Sequence, residues 1–264
     1  MNNVFLFNPA YCDVWFAGQD EGTKTLKTVE DWGKIEQADL TFNLGLFDMR
    51  TGDSNCFVKG PRMISDSSGL THPKIGGQSD ILYLNSQNMC KGYCNAIVNG
   101  KAKVEHPLGK TSKRNGIGIT TDGFIIIAQT SHSSYETAFA NAVTEYVIKA
   151  GKKVRLFVLQ DGGGSTSEYS AISKLGFHPT NEIRKVATVV CVKFRHIPPV
   201  TRTLKYGARG EDVKTLQTVL GGLVVDGIFG TNTRIRLKAA QRALGLKADG
   251  SCGPLTRRAL GIGG

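Results

Sequence analysis

The stretch Ile117-Gly118-Ile119-Thr120-Thr121-Asp122-Gly123-Phe124-Ile125-Ile126-Ile127 decides how this chain of 264 residues folds. Two runs rich in branched apolar residues flank an Asp-Gly pair, and such a pair supplies the backbone freedom that a tight antiparallel turn requires. A hairpin is predicted here. Just downstream, Tyr135, Ala138, Phe139, Ala142, Val143, Tyr146 and Val147 recur with helical period, and Gly151 supplies the stop. The strand-like residues 153–159 follow and run directly into Asp161-Gly162-Gly163-Gly164-Ser165-Thr166. Upstream, residues 4–7, 40–47 and 81–84 also read as strands. Strand and helix signals mixed in this way predict an α+β domain built on a mixed sheet.

A break falls near Pro198-Pro199, where two prolines end an apolar run. It divides the chain into a domain at residues 1–195, a linker at 196–203 and a small unit at 204–264. The small unit repeats itself: Asp226-Gly227-Ile228-Phe229-Gly230-Thr231-Asn232-Thr233 returns as Asp249-Gly250-Ser251-Cys252-Gly253-Pro254-Leu255-Thr256. Each copy reads as a turn feeding a helix. Thr231 is the expected N-cap of a helix carrying Ile235, Ala239 and Ala240, Pro254 suits the first turn of the next, and Val213, Leu216 and Leu220 line an earlier one. A three-helix bundle is expected.

Composition narrows the function. With 40% hydrophobic and 21% charged residues, the chain can bury a core, and its longest apolar run is far too short to cross a bilayer. The first residues lack the pattern of a signal peptide, so the chain is expected to be made in the cytoplasm with no export address of its own. Of 33 Lys and Arg residues, eleven lie in residues 201–264 beside only four of the 22 acids. That suits a polyanion such as nucleic acid, an anionic membrane surface or a phosphate-bearing wall polymer. Interleaved aromatics for base stacking are missing, so nucleic acid is set aside, and no stable membrane association is expected. The six cysteines are scattered and read as buried thiols. No H-E-x-x-H, Walker loop or serine-hydrolase elbow occurs, and neither a metal nor a cofactor is implied. Oligomeric state is not legible.

Two resemblances sharpen this reading. Leu204-Lys205-Tyr206-Gly207-Ala208-Arg209-Gly210-Glu211-Asp212-Val213, Leu216-Gln217, the Asp226-Gly227-Ile228-Phe229-Gly230 turn, Leu244-Gly245-Leu246 with Asp249-Gly250, and Gly253-Pro254-Leu255-Thr256 resemble the peptidoglycan-binding domain type 1. The implied partner is peptidoglycan or an attached wall polymer. Asn43-Leu44-Gly45-Leu46-Phe47-Asp48, Arg114-Asn115-Gly116-Ile117-Gly118-Ile119 with Asp122-Gly123, the helix that follows and the Asp161 to Thr166 loop resemble the phosphodiester glycosidase family. The resemblance implies hydrolysis of a glycosidic or sugar-phosphodiester bond, and the pair of domains looks like a phage endolysin, which implies the host cytoplasm before lysis and the cell wall afterwards.

Glycoside hydrolysis needs one carboxyl to protonate the leaving oxygen and a second as base or nucleophile, with a cation where the leaving group is a phosphate. Asp161 and Asp48, each at an expected strand end, are the candidate pair, and Arg114 is the candidate cation. The loop Gly162, Gly163, Gly164, Ser165 and Thr166 is expected to offer amide and hydroxyl donors to an anion, while Asn43 and His132 would orient sugar or phosphate oxygens. Glu168 is the spare acid. The alternative from another class is a non-catalytic protein that holds wall glycan.

Overall fold

The computed structural model describes residues 2–9, 12–19, 25–45, 47, 57–61, 63–65, 79–104, 107, 109–166, 168–170, 184–194, 200–221, 223–260 and 262. A six-stranded sheet has the order β1 (Asn2–Phe7), β11 (Ile125–Thr130), β10 (Asn115–Thr120), β12 (Val154–Gln160), β8 (Cys94–Val98) and β9 (Lys101–Ala102). A four-stranded sheet runs β13 (Glu168–Ser170), β3 (Leu40–Asn43), β14 (Thr188–Phe194) and β2 (Cys12–Gly18). A second small sheet holds β5 (Met63–Ser65), β4 (Val58–Gly60), β7 (Met89–Cys90) and β6 (Leu82–Tyr83).

The expected hairpin is β10 and β11, with Ile117 opposite Ile127 and Gly123 at φ +87° in the turn. Where a mixed sheet was expected, every pairing among the described residues is antiparallel. The reason lies in the helix after the hairpin, α2 (Glu136–Lys149), which carries the chain from β11 across to β12 on the far side of β10. β11 and β12 run parallel, but antiparallel β10 separates them, and their outer neighbours, β1 and β8, are antiparallel as well.

Alternation along these strands builds the layers. Ile117, Ile119, Ile125 and Ile127 turn toward Phe42, Val190 and Val192 of the four-stranded sheet, joined by Phe5 and Phe7. Ile126 and Ala128 face the other way, under Phe139, Ala140, Val143 and Val147 of α2. Beyond the four-stranded sheet, Val189 and Cys191 pack with Val29 and Trp32 of α1 (Val29–Ile35). The result is a helix, sheet, sheet, helix sandwich with three apolar seams. The buried face of α2 is turned slightly from the expected one: Tyr135 is 53% exposed, Ala138 is exposed, and Glu136 is buried. An acid on the inner face has a partner waiting, described below. Cys12, Cys90, Cys94, Cys191 and Cys252 are buried free thiols; Cys56 lies outside the described residues.

The C-terminal unit comprises α3 (Glu211–Leu220), α4 (Thr231–Ala243) and α5 (Pro254–Leu260) around Val213, Leu216, Phe229, Leu237 and Leu260. Its two repeats close by the same hydrogen-bond cage. Gln217 Nε2 donates to Asp226 Oδ1 (2.7 Å), the Ile228 carbonyl (3.0 Å) and Thr233 Oγ1 (3.2 Å), while its Oε1 accepts from the Gly227 N–H (2.9 Å). Gln241 repeats this with Asp249 (3.0 Å), the Ser251 carbonyl (3.0 Å), Thr256 (3.2 Å) and the Gly250 N–H (2.9 Å). The doubled Asp-Gly motif is therefore a closure, with its polar atoms turned inward. Two helical expectations are corrected. Gly230 is the N-cap and Thr231 the first helical residue, and Ile235 is 62% exposed because Thr233, Leu237, Ala240 and Gln241 form the inner face instead. Val200 is buried in this bundle, its N–H bonded to the Ile262 carbonyl at 2.9 Å. Residues 195–199 of the break lie outside the described residues.

The bundle sits against β1, the edge of the six-stranded sheet. A Cβ added to Gly221 would fall 2.5 Å from the Phe5 ring, which belongs to the seam between the sheets, and Val224 packs on the seam beneath α2. Residues 221 and 224 thus straddle the edge strand. Gly221 also has φ +60°, so Gly221→Val should cost about 2 kcal/mol through a strained backbone and an overpacked contact. Urea unfolding measures this, and a cost that Phe5→Ala in the same chain does not reduce would mean that the two units do not meet in solution.

Candidate functional site

The ends of five strands converge on one polar layer. Asn115 opens β10 directly opposite Gln129 on β11 and Gln160 on β12, and all three amides are buried. Buried amides need partners: Gln160 Nε2 donates to the Lys91 carbonyl at 3.3 Å, and the partners of the other two lie on the four-stranded sheet. Asn115 Nδ2 donates to the Asn43 carbonyl (2.6 Å), Gln129 Nε2 to Asn43 Oδ1 (3.0 Å), and Asn43 Nδ2 to the Asp161 carbonyl (2.8 Å). The Asp161 N–H returns a bond to the Leu44 carbonyl at 3.1 Å. Thr188, at the start of β14, takes the Gly45 N–H on its hydroxyl at 2.9 Å.

The glycine loop leaves from this layer. Gly162 lies so close over the preceding segment that a Cβ would sit 2.3 Å from the Lys113 carbonyl, and Gly163 has φ +61°. The Gly163 N–H donates to that same carbonyl (2.9 Å), the Ser165 N–H to Gly162 (3.2 Å) and the Thr166 N–H to Gly163 (3.4 Å). Three of the five loop amides expected to meet an anion, those of Gly163, Ser165 and Thr166, are thus spent within the fold. A cation does reach the loop: a Cβ on Gly164 would lie 2.6 Å from the Arg184 guanidinium.

Asp161 stands at the mouth of this loop. Burial raises its carboxyl to about 7, against the opposing pull of the Ser165 hydroxyl, the Arg184 charge and the Gly162 N–H. Ser165 and Thr166 are buried, and among the described residues no group bonds the Thr166 hydroxyl. Glu168 is buried at the start of β13, opposite Phe42, whereas His132 is exposed just past β11. Asp48, the expected partner carboxylate, lies outside the described residues.

Arg114 and Asn43 do other work than the sequence suggested. Arg114 Nη1 pairs with Glu136 Oε1 at 2.9 Å, both side chains being almost fully buried (5% and 1% exposed). Nε donates to the Ser134 carbonyl at 2.9 Å and Nη2 to the Lys110 carbonyl. The guanidinium therefore ties residues 110–114, on which the glycine loop rests, to the first turn of α2, where a carboxylate also favours the helix dipole. Asn43, 1% exposed, holds Asp161 from behind. Sequence reasoning missed Glu136 and the placing of Arg184. The signal for Glu136 was an acid at a helix start beside an apolar stripe; Arg184 had none, because its approach to Gly164 is purely tertiary.

Removing one member of a buried pair strands the other, so Glu136→Gln should destabilise the protein by about 3–5 kcal/mol, and Arg114→Met with Glu136→Leu by much less. Chemical denaturation of both variants tests this. Asp161 gives a second, pH-dependent expectation. Its folded value, about 7, lies above the unfolded 3.8, so the folded state holds a proton that the unfolded state releases, and stability falls as pH rises between the two values. Asp161→Asn should match the wild type near pH 4 and melt progressively higher than it toward pH 8.

A family model described as "Putative peptidoglycan binding domain" matches residues 209–260, which span the three C-terminal helices. A 56-residue segment is 50% identical to the N-acetylmuramoyl-L-alanine amidase CwlM of Mycobacterium tuberculosis, a match that takes in 19% of this chain and 14% of that protein. In fold, the chain is similar to the zebrafish N-acetylglucosamine-1-phosphodiester alpha-N-acetylglucosaminidase catalytic domain auto-inhibited by its pro-peptide. The TM-score is 0.53 at 16% identity, covering 74% of this chain and 83% of that one. A hypothetical protein from Synechocystis is similar with a TM-score of 0.50 at 12% identity, over 74% and 59% of the two chains. Likeness at such identities is one of fold. The chain joins a C-terminal domain of the peptidoglycan-binding type to a domain with the fold of that glycosidase catalytic domain.

Proposed function

We propose that this protein is a cell-wall hydrolase whose sandwich domain cleaves a glycosidic or sugar-phosphodiester bond in peptidoglycan or an attached polymer, while the helical unit holds the wall. The observation that carries this reading is Asp161, a carboxyl raised to about 7 at the mouth of a loop that Arg184 touches. A carboxylic acid still protonated near neutral pH is suited to general acid catalysis. Asp161 would give its proton to the leaving oxygen as the bond from the sugar carbon breaks. A second carboxylate, Asp48 or Glu168, would accept the proton of the attacking water or first attack the carbon itself. Arg184, rather than Arg114, would stabilise a phosphate leaving group, because Arg114 is committed to Glu136.

Asp161→Asn should lower product release from purified sacculi at least about a hundredfold while sacculus binding is unchanged. Mass spectrometry of the products separates a new reducing sugar or free phosphomonoester from the amide cleavage named for CwlM. If the wild type releases nothing and still binds, the protein is a wall-glycan binder. An endolysin setting is the finer form of this proposal, and lysis from within, on co-production with a membrane-permeabilising factor, is its test.

A further inference from the structure

The two repeats of the helical unit share their cage and differ in charge. In the first, the stem of Lys214 lies over Gly227, whose added Cβ would be 3.2 Å from its Cε and Cγ, and Nζ pairs with Glu211 at 2.6 Å. In the second, Lys238 stands in the same place over Gly250, 2.9 Å from the corresponding point, with Arg234 beside it at 3.0 Å. The position of Glu211 is taken by Ile235. The other acids of the unit are engaged: Asp212 with Arg202 at 2.6 Å, Asp226 with Gln217 and Asp249 with Gln241. Arg236 points elsewhere, donating to the Leu220 and Gly221 carbonyls. Arg234, Lys238 and Arg242 are left as a row along α4 that no acid among the described residues pairs.

Residues four apart on a helix recur on one side every ~6 Å. We infer that this row binds a linear chain of polyol phosphates attached to the wall, over and above the peptidoglycan contact on which the function proposed above rests. The charge is of the right sign, and one cation per helical turn suits a flexible polymer with one phosphate per repeat. The stems of Arg234 and Lys238 are held in place by the Gly250 turn, so less freedom is lost on binding. Helix α4 carries no aromatic side chain on which a base could stack. Carboxylates on wall peptides branch singly from the glycan and do not form such a row.

The full-length protein is titrated against sacculi before and after hydrofluoric acid has stripped the phosphate polymer. Stripping should weaken wild-type binding about tenfold, the worth of three modest ion contacts. Arg234→Gln/Lys238→Gln/Arg242→Gln should bind both preparations alike, at the stripped level, with an unchanged melting temperature. Ile235→Glu, which rebuilds the first repeat's ion pair, should weaken binding only to unstripped walls. Equal wild-type affinity for both preparations would overturn the inference, as would a triple variant that still distinguishes them. Competition by duplex DNA as strong as by poly(glycerol phosphate) of equal charge would overturn it too. Loss of all binding to stripped walls with poly(glycerol phosphate) binding retained would support the inference while removing the peptidoglycan reading.

Discussion

The carboxamide of Asn115 donates to the Asn43 carbonyl across the gap between the two sheets, and the rest of the site hangs on that bond. Elsewhere the sheets meet through apolar side chains, which attract without fixing register. At this end the contact is directional. Gln129 and Asn43 extend it, and Asn43 passes it to the main chain of Asp161. Leaving any of these groups without a partner in a buried layer costs more than the bond itself returns, so the layer holds one arrangement and the glycine loop begins from a fixed point.

A second anchor fixes the loop from below. The Lys113 carbonyl carries the loop, and the neighbouring Arg114 is pinned by Glu136, Ser134 and Lys110. Between the amide layer and this ion pair, Asp161 is held in a setting that disfavours its charge. A cation nearby would ordinarily ionise such a group; here half-buried Arg184 acts against burial and does not win. The protein spends stability to keep an acid protonated, as functional sites commonly do.

What could be read from sequence was local. The Asp-Gly hairpin, the helix with its Gly151 stop and the repeated turns depend on residues within a few positions of one another, and all three are present. Errors arose wherever a distant partner decided the outcome. Tyr135 looks inward by periodicity, yet Glu136 takes the inner place because Arg114, two strands away in sequence, needs a counter-charge. Arg114 itself read as the cation for a phosphate leaving group, and Glu136 holds it instead. The glycines read as amide donors to an anion, whereas the clearance they give the Lys113 carbonyl and Arg184 is written in no neighbouring residue. Ile235 fits an apolar stripe on paper and lies outside because Gln241, a polar residue, is needed within.

The placement of the helical bundle on β1 bears on how the chain acquires its shape. Val4 finds its partner Ala128 only after more than a hundred residues have been made, and the outer side of the same strand is flanked later still, by residues 221 and 224. Until then the ribosome has released a twisted sheet with a bare margin, which is the template on which chains join one another. Pairings this remote in sequence are also slow to form. Production of the sandwich without its bundle would therefore leave that margin permanently open, and aggregation would follow from topology even where every side chain of the sandwich is intact.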